Sequence, residues 1–393
     1  MNADLIGKQL GLQWFSFQLD VFEKWEALAG HKRFCLYYRT GAGKTLTSLA
    51  MMRMDNVTEV LVLAPPSTHA RWVEEASRLG IEAEVISHAK FRMKDYKVSR
   101  TKAVICDEFH LLGGQRARGW KKFSRYTRAL QAPAIIMSAT PNYNDAERCY
   151  CIHYVLDPLA VKGGFLQFLN SHCVTEHDPF STTPKVKGFL KFKDAAEYLA
   201  ALPLVAYVPD QSTTEIIDVN FDVPLPQVIE AYGYLPWEHR IFASIIERNQ
   251  KISYYKRVAP DGEIREEVMD VLVKYLDTDL KTLIYVNRAR IANILYQTLL
   301  NYRFSEVDVV TGSDTTKRKA DKLKRFIEGD TRILIGTATL ATGVDGMDKV
   351  CNDLLIFDDT PDASLRRQVM GRILPRGSSS DESLKVILRY NFL

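Results

Sequence analysis

What this 393-residue sequence lacks removes several classes of protein. No apolar stretch is long enough to span a bilayer, so no membrane is expected as a partner. The N-terminus has no charged start followed by an apolar run, so no signal peptide is expected. Six cysteines, at positions 35, 106, 149, 151, 173 and 351, show no disulfide-framework spacing, which points to a reducing compartment. The formal net charge of +4 is too small to indicate nucleic acid, so any such site must come from local basic patches. The expectation is a soluble protein of the cytoplasm, or of the host cytoplasm if the source is viral.

What remains is an ordinary globular composition, 46% hydrophobic and 25% charged, long enough for two large domains. The stretch that organises it is Thr40-Gly41-Ala42-Gly43-Lys44-Thr45, between a buried-strand run (Phe34–Tyr38) and a helical run (Leu46 to about Met54). Glycines let backbone N–H groups approach phosphate oxygens, and a helix N-terminus adds partial positive charge. Lys44 can reach β- and γ-phosphates and the Thr45 hydroxyl can bind Mg²⁺. The usual pattern has a glycine where this chain has Tyr38.

Further short apolar runs follow: Val60–Ala64, Glu84–Ile86, Ala103–Cys106 and Ala134–Met137. They read as buried parallel strands alternating with helices. The third delivers Asp107-Glu108-Phe109-His110 at its end. Two carboxylates leaving a buried strand are costly unless they serve a metal or polar site. About sixty residues after a phosphate loop, Asp107 is expected to hold Mg²⁺ and Glu108 to orient or deprotonate the attacking water. Ser138-Ala139-Thr140 can hydrogen-bond a γ-phosphate or a facing domain, or form a plain turn.

Two stretches stay open. Arg116–Arg128 has six basic residues, no acidic one and three aromatics, fitting either a solvated helix face or a phosphate-backbone contact. Cys149, Cys151, His153, His172, Cys173 and His177 suggest zinc. However, Asp145–Leu156 reads as a helix, on which Cys149 and Cys151 diverge, so buried thiols are favoured.

Alternation resumes after Glu263, with strands at Thr282–Val286, Val307–Val310, Arg332–Gly336, Leu354–Phe357 and Leu384–Arg389. Thr315–Glu328 reads as a basic helix, and Asp362–Leu374 as a helix carrying Arg366, Arg367, Gln368 and Arg372. The expected class is α/β, with two parallel-sheet lobes and an ATP site in the cleft between them. The expected division is lobe 1 over 1–205, a connector with helical covering segments over 206–262, and lobe 2 over 263–393.

These motifs, in this order over nearly the whole chain, resemble those of superfamily-two helicases and translocases with two RecA-like lobes. Gln18, otherwise an ordinary polar residue of an amphipathic helix, matches the adenine-reading glutamine. Thr40–Thr45 matches motif I, and Leu63-Ala64-Pro65 with Trp72 and Glu75 resembles motif Ia. Asp107–His110 is a DEAH-box variant, and Ser138-Ala139-Thr140 matches motif III. Thr342-Gly343-Val344-Asp345 resembles motif V; Gln368, Gly371 and Arg372 resemble motif VI. Trp72 after a proline, Ser87-His88, Pro141-Asn142 with Asn144, and Leu202-Pro203 look Swi/Snf-like. Motif VI departs from the family: three residues, not two, separate Arg372 from Arg376.

The resemblance implies an ATP-dependent motor on nucleic acid, with duplex DNA as the main substrate and RNA as the alternative. The cofactors are ATP and Mg²⁺, with Gln18, Thr40–Thr45 and Asp345 at the nucleotide, and Thr45 and Asp107 at the metal. Glu108, Gln368, Arg372 and Arg376 serve hydrolysis; His110, Ser138, Ala139, Thr140, Thr342 and Gly343 couple it to movement. Nucleic-acid contacts fall at Pro65, Trp72, Ser87, His88, Asn287, Arg288, Thr311, Gly312 and Thr337. A nucleotide-dependent assembly factor with little turnover is the reading from another class, and a kinase is remote. Protein partners from replication, repair or recombination stay open, with a monomer favoured.

Overall fold

The computed structural model describes residues 2–30, 32–39, 41–97, 103–139, 146–176, 184–208, 216–221, 254, 256–259, 262–340, 346–351, 353–360, 363–371 and 386–392. The chain divides into two compact units, Met1–Gln211 and Ser212–Leu393.

The first unit contains strands β1 (Arg33–Tyr38), β2 (Glu59–Leu63), β3 (Glu82–Ile86), β4 (Ala103–Cys106), β5 (Ala134–Ser138), β6 (Cys173–Glu176), β7 (Lys185–Phe189) and β8 (Val205–Val208). Six form a parallel sheet in the order β3-β2-β4-β5-β1-β8, while β6 and β7 make a separate antiparallel pair. The run Phe-Cys-Leu-Tyr-Tyr of β1 shows why a continuous apolar segment suits such a sheet. Cys35 and Tyr37 enter one core layer, and Phe34, Leu36 and Tyr38 enter the other. The register pairs Tyr37 of β1 with Ser138 of β5, and Cys106 of β4 with Ile136 of β5. The carboxyl ends of β4, β5 and β1 therefore lie side by side.

The second unit contains β9 (Ile216–Phe221), β10 (Thr282–Val286), β11 (Val307–Val310), β12 (Ile333–Gly336), β13 (Asp353–Asp358) and β14 (Val386–Phe392), parallel in the order β11-β12-β10-β13-β14-β9. Its core also has two layers, one on each face of the sheet. The α/β class with two parallel sheets is as expected.

The domain limits differ. Val205–Val208 is an edge strand of the first sheet, and Ile216–Phe221 is an edge strand of the second. Two stretches in the first part of the expected connector are thus sheet, and the cause is pairing between distant segments. Asp218 of β9 accepts two bonds from Arg389 of β14, at 2.6 and 2.9 Å. The expected helix within 226–248 lies outside the described residues. No helix among the described residues is long and apolar enough to cross a membrane.

Candidate nucleotide site

The phosphate loop joins β1 to the helix Lys44–Met54. Gly41 and Gly43 have φ of 80° and 77°, the left-handed conformation that glycine adopts without a Cβ clash. This turn leaves the helix N-terminus open for an anion. Lys44 Nζ donates to the Tyr38 and Arg39 carbonyls at 3.1 and 3.2 Å, folding the lysine over the end of β1. Tyr38, at the missing glycine, turns its ring into the core, edge-on to Phe17 at 5.4 Å. The aromatic substitution therefore leaves the turn itself to Gly41 and Gly43.

Gln18 lies directly against this turn. Its Oε1 accepts from Phe15 N at 3.0 Å, and its Nε2 donates to Thr47 Oγ1 at 2.7 Å. A Cβ on Gly43 would meet Gln18 Nε2 at 2.9 Å. Ala42 is buried and Thr45 opens the helix's first turn, half-buried. Thr40 lies outside the described residues.

On β4, Asp107 N donates to Leu63 O of β2 at 2.8 Å, holding the strand end in line. Asp107 is half-buried, and desolvation together with Glu108 pushes its carboxyl above the usual carboxylate range. Lys44, the Glu108 N–H and the Trp72 indole N–H, which bonds the carboxylate, oppose that push. Glu108 takes φ 47°, a left-handed conformation that is strained for a side-chain-bearing residue. Its carboxylate lies 3.3 Å from His110 Nδ1, which is also 3.3 Å from Ser138 Oγ. Glu108, His110 and Ser138 thus form one contact chain across β4 and β5. Ala139 follows at the strand end, half-buried.

A phosphate cradle, a first-turn hydroxyl and a half-buried acid near the loop lysine suit a nucleoside triphosphate with Mg²⁺. Lys44 and the loop amides would hold the phosphates; Thr45 and Asp107 would hold the metal.

Several expected nucleic-acid contacts point inward instead. On helix His69–Arg78 only Trp72 and Ala76, one turn apart, are buried. Trp72 is 1% exposed and serves Asp107. His88 is 4% exposed, and its Nε2 donates to Asp107 O at 2.8 Å. Burial pushes the His88 pKa down to about 4 against that bond. Pro65 is buried as well, while Ser87 caps the helix His88–Arg92 by accepting from Lys90 N at 3.1 Å. The apolar spacing around Trp72 could have revealed its burial; nothing local marks the His88 bond.

In the second unit the carboxylate of Asp358, at the end of β13 and 2% exposed, is a hub. Arg288 binds it bidentately at 2.9 and 2.6 Å, and Arg257 lies 3.4 Å away. Arg288 is therefore committed to an internal acid rather than offered to a ligand. Asn287 N donates to Asp358 O at 2.9 Å. Thr311 and Thr337 are buried and Gly312 is exposed. Thr311 Oγ1 lies 2.7 Å from Ser313 Oγ, and Thr337 Oγ1 lies 3.4 Å from Thr339 Oγ1. Gln368 is buried on helix Ala363–Met370. Thr140, Thr342, Gly343, Asp345, Arg372 and Arg376 lie outside the described residues, as do Pro141, Asn142 and Asn144.

The cysteine–histidine stretch is spent on packing. Cys149 Sγ donates to Ala195 O at 3.8 Å, and His153 Nδ1 bonds Tyr198 Oη at 2.6 Å. Among the described residues no group of three or more His, Cys, Asp or Glu could hold a metal. His177 lies outside them.

Fold and site together define an α/β chain of two parallel sheets with a glycine-turn phosphate cradle at the first. Residues 266–376, most of the second sheet's sequence, match the helicase conserved C-terminal domain. The chain is similar to Saccharomyces cerevisiae Dbp5 bound to RNA and ADP BeF3, with 15% identity and a TM-score of 0.59 over 100% of this chain and 88% of that one. It is similar to Mycobacterium smegmatis helicase Lhr bound to single-stranded DNA and AMP-PNP, with 14% identity and a TM-score of 0.55 over 96% of this chain and 46% of that one. The Sulfolobus solfataricus SWI2/SNF2 ATPase core with double-stranded DNA matches at 16% identity over 97% and 88% of the two chains, but its TM-score of 0.41 is too low to carry the subfamily. No curated protein matches the sequence.

Proposed function

We propose that this chain is an ATP-dependent nucleic-acid translocase that grips double-stranded DNA by its backbone. The observation that carries the proposal is the half-buried Asp107–Glu108 pair at the end of β4, electrostatically coupled to Lys44 beyond the end of β1, with only β5 between the two strands. Mg²⁺, when bound, would neutralise charge developing on the phosphates. Lys44 and the loop amides bind the triphosphate, Gln18 reads the base, and Glu108 orients water and takes its proton. Gln368, Arg372 and Arg376 are the candidates to stabilise charge on the transferring phosphoryl group. His110 and Ser138 pass the state of Glu108 to the end of β5. Backbone contacts position a protein without reading sequence, so no sequence preference is expected.

The test is Glu108→Gln, assayed with duplex DNA, single-stranded DNA and RNA at stated salt. ATP binding persists and stimulated hydrolysis is lost; unchanged turnover overturns the assignment. Stimulation by RNA alone moves the substrate to RNA, the ligand of the yeast neighbour. ATP affinity without turnover in the unaltered chain, whatever the nucleic acid, makes it an assembly factor.

A further inference from the structure

The basic stretch between β4 and β5 has no part in the site above. It forms the helix Arg118–Ala129, whose Trp120, Phe123, Tyr126 and Thr127 are buried. Arg118, Lys121, Arg125 and Arg128 are exposed, spaced by three or four residues, and so form one stripe. The stripe rises about 15 Å along the helix. Between Glu108 and Asp145 the sequence contains no acidic residue.

The basic residues here do two different jobs. Lys122 is structural: its Nζ donates to Met93 O and Tyr96 O, at 2.8 and 2.7 Å, and lies over the Phe91 ring. Arg118, Lys121 and Arg125 have no acidic partner among the described residues. Arg128 lies over the Tyr154 ring, 5.8 Å from its centroid. Helix His88–Arg92 packs alongside, with Phe91 against Phe123, and adds exposed Lys90 and Arg92. Gly119 makes room for this: a Cβ there would meet Leu112 O at 2.7 Å and the Arg92 side chain at 3.1 Å.

The basic helix of the second unit provides the contrast. There Lys322 binds Val309 O and Asp314, Arg325 binds Asp308, and Lys324 lies 3.7 Å from Glu328. Three basic residues of that helix thus have acidic partners close by, whereas Arg118, Lys121 and Arg125 have none among the described residues. Like charges at such spacing repel, a repulsion that an external polyanion would relieve.

We propose that the stripe Arg118–Lys121–Arg125–Arg128, extended by Lys90 and Arg92, is a second nucleic-acid surface that grips the phosphate backbone of a duplex. It lies on a helix covering the sheet, not on the strand-end loops. Its role needs neither ATP nor Glu108. It tethers the protein to its track through the hydrolysis cycle.

The experiment measures duplex DNA binding without nucleotide across a salt series, for the full chain and for Arg118→Gln/Lys121→Gln/Arg125→Gln. Three lost phosphate contacts lower the slope of log affinity against log salt by about 3 and weaken binding about tenfold or more. Nucleotide affinity and ATP hydrolysis without DNA stay unchanged, which separates this surface from the motor site. The control is Lys8→Gln/Lys24→Gln/Lys162→Gln, three exposed lysines of the same unit. Unchanged affinity and slope in the stripe variant overturn the proposal, as does an equal loss in the control. Binding to phosphatidylserine vesicles but not to duplex DNA overturns it too.

Discussion

His110 and Ser138, 28 residues apart in the chain, meet through Nδ1 and Oγ at 3.3 Å. The same imidazole nitrogen touches Glu108, the expected base, so the meeting point lies between the reacting end of β4 and the end of β5. Removing the imidazole frees Glu108 to leave its orientation, while the phosphate cradle is untouched. His110→Ala should lower kcat by roughly ten- to a hundredfold, a part of what a positioned general base supplies, with KM for ATP little changed. Ser138→Ala should have a smaller effect. The double variant should be no worse than His110→Ala alone, because both act through one contact. Steady-state ATPase assays of the three variants check this, and additive losses would refute the shared path.

The buried His88 makes a pH prediction. Its pKa falls from 6.5 to about 4 on folding, so between those values the unfolded chain binds the extra proton. Stability from this group is fully present above pH 6.5 and is lost as pH falls towards 4, up to about 3 kcal/mol. Asp107, pushed up by burial and by Glu108, works in the opposite direction as pH rises. Comparison with His88→Asn cancels the Asp107 contribution, because both proteins retain it. Thermal melts from pH 4.5 to 7.5 should show the variant losing less stability on acidification. Parallel curves would place His88 in contact with water.

Much of this was legible in the sequence for one physical reason. Strands covered on both faces must be apolar throughout, so Val60–Ala64 and Ala103–Cys106 stand out, and the chemistry follows at their ends. Side-chain direction was less legible. Trp72 and His88 follow strand ends, where ligand contacts collect, yet both turn under Asp107 because the acid must be held in place. The partners of Asp358 were illegible, since Arg257 and Arg288 converge on it only through the sheet order. The edge strand Ile216–Phe221 alternates like a half-buried strand, but its partner is β14 at the far end of the chain. No local pattern announces such a pairing.

Gly43 and Gln18 are predicted to be energetically coupled. Gly43→Ala forces a side-chain-bearing residue into φ 77° and drives its Cβ to within 2.9 Å of an amide pinned by Phe15 and Thr47. The conformational part costs about 1 kcal/mol, and the clash adds to it. Truncating the amide as well, in Gly43→Ala/Gln18→Ala, should return the clash part and leave the conformational part. Denaturant melts of the single and double variants measure the coupling. Additive losses would mean that the loop and Gln18 do not touch in solution.

Asp358 governs the stability of the second unit. Two guanidinium groups face one buried carboxylate, and Arg257 is itself buried enough for its pKa to fall to about 10. In Asp358→Asn the arginines keep a polar neighbour of the same shape but lose the charge that offsets their desolvation. Removing one partner of a buried ion pair typically costs about 3–5 kcal/mol. The expected loss is at the lower end, about 3 kcal/mol, because Arg288 retains some exposure to water. The two units have separate cores, so the loss should appear as earlier unfolding of residues 212–393, with the first unit's nucleotide affinity retained. Hydrogen exchange resolved along the chain, read beside ATP binding, tests both halves. An even loss of protection across both units would instead make Asp358 a determinant of the whole chain's cooperativity.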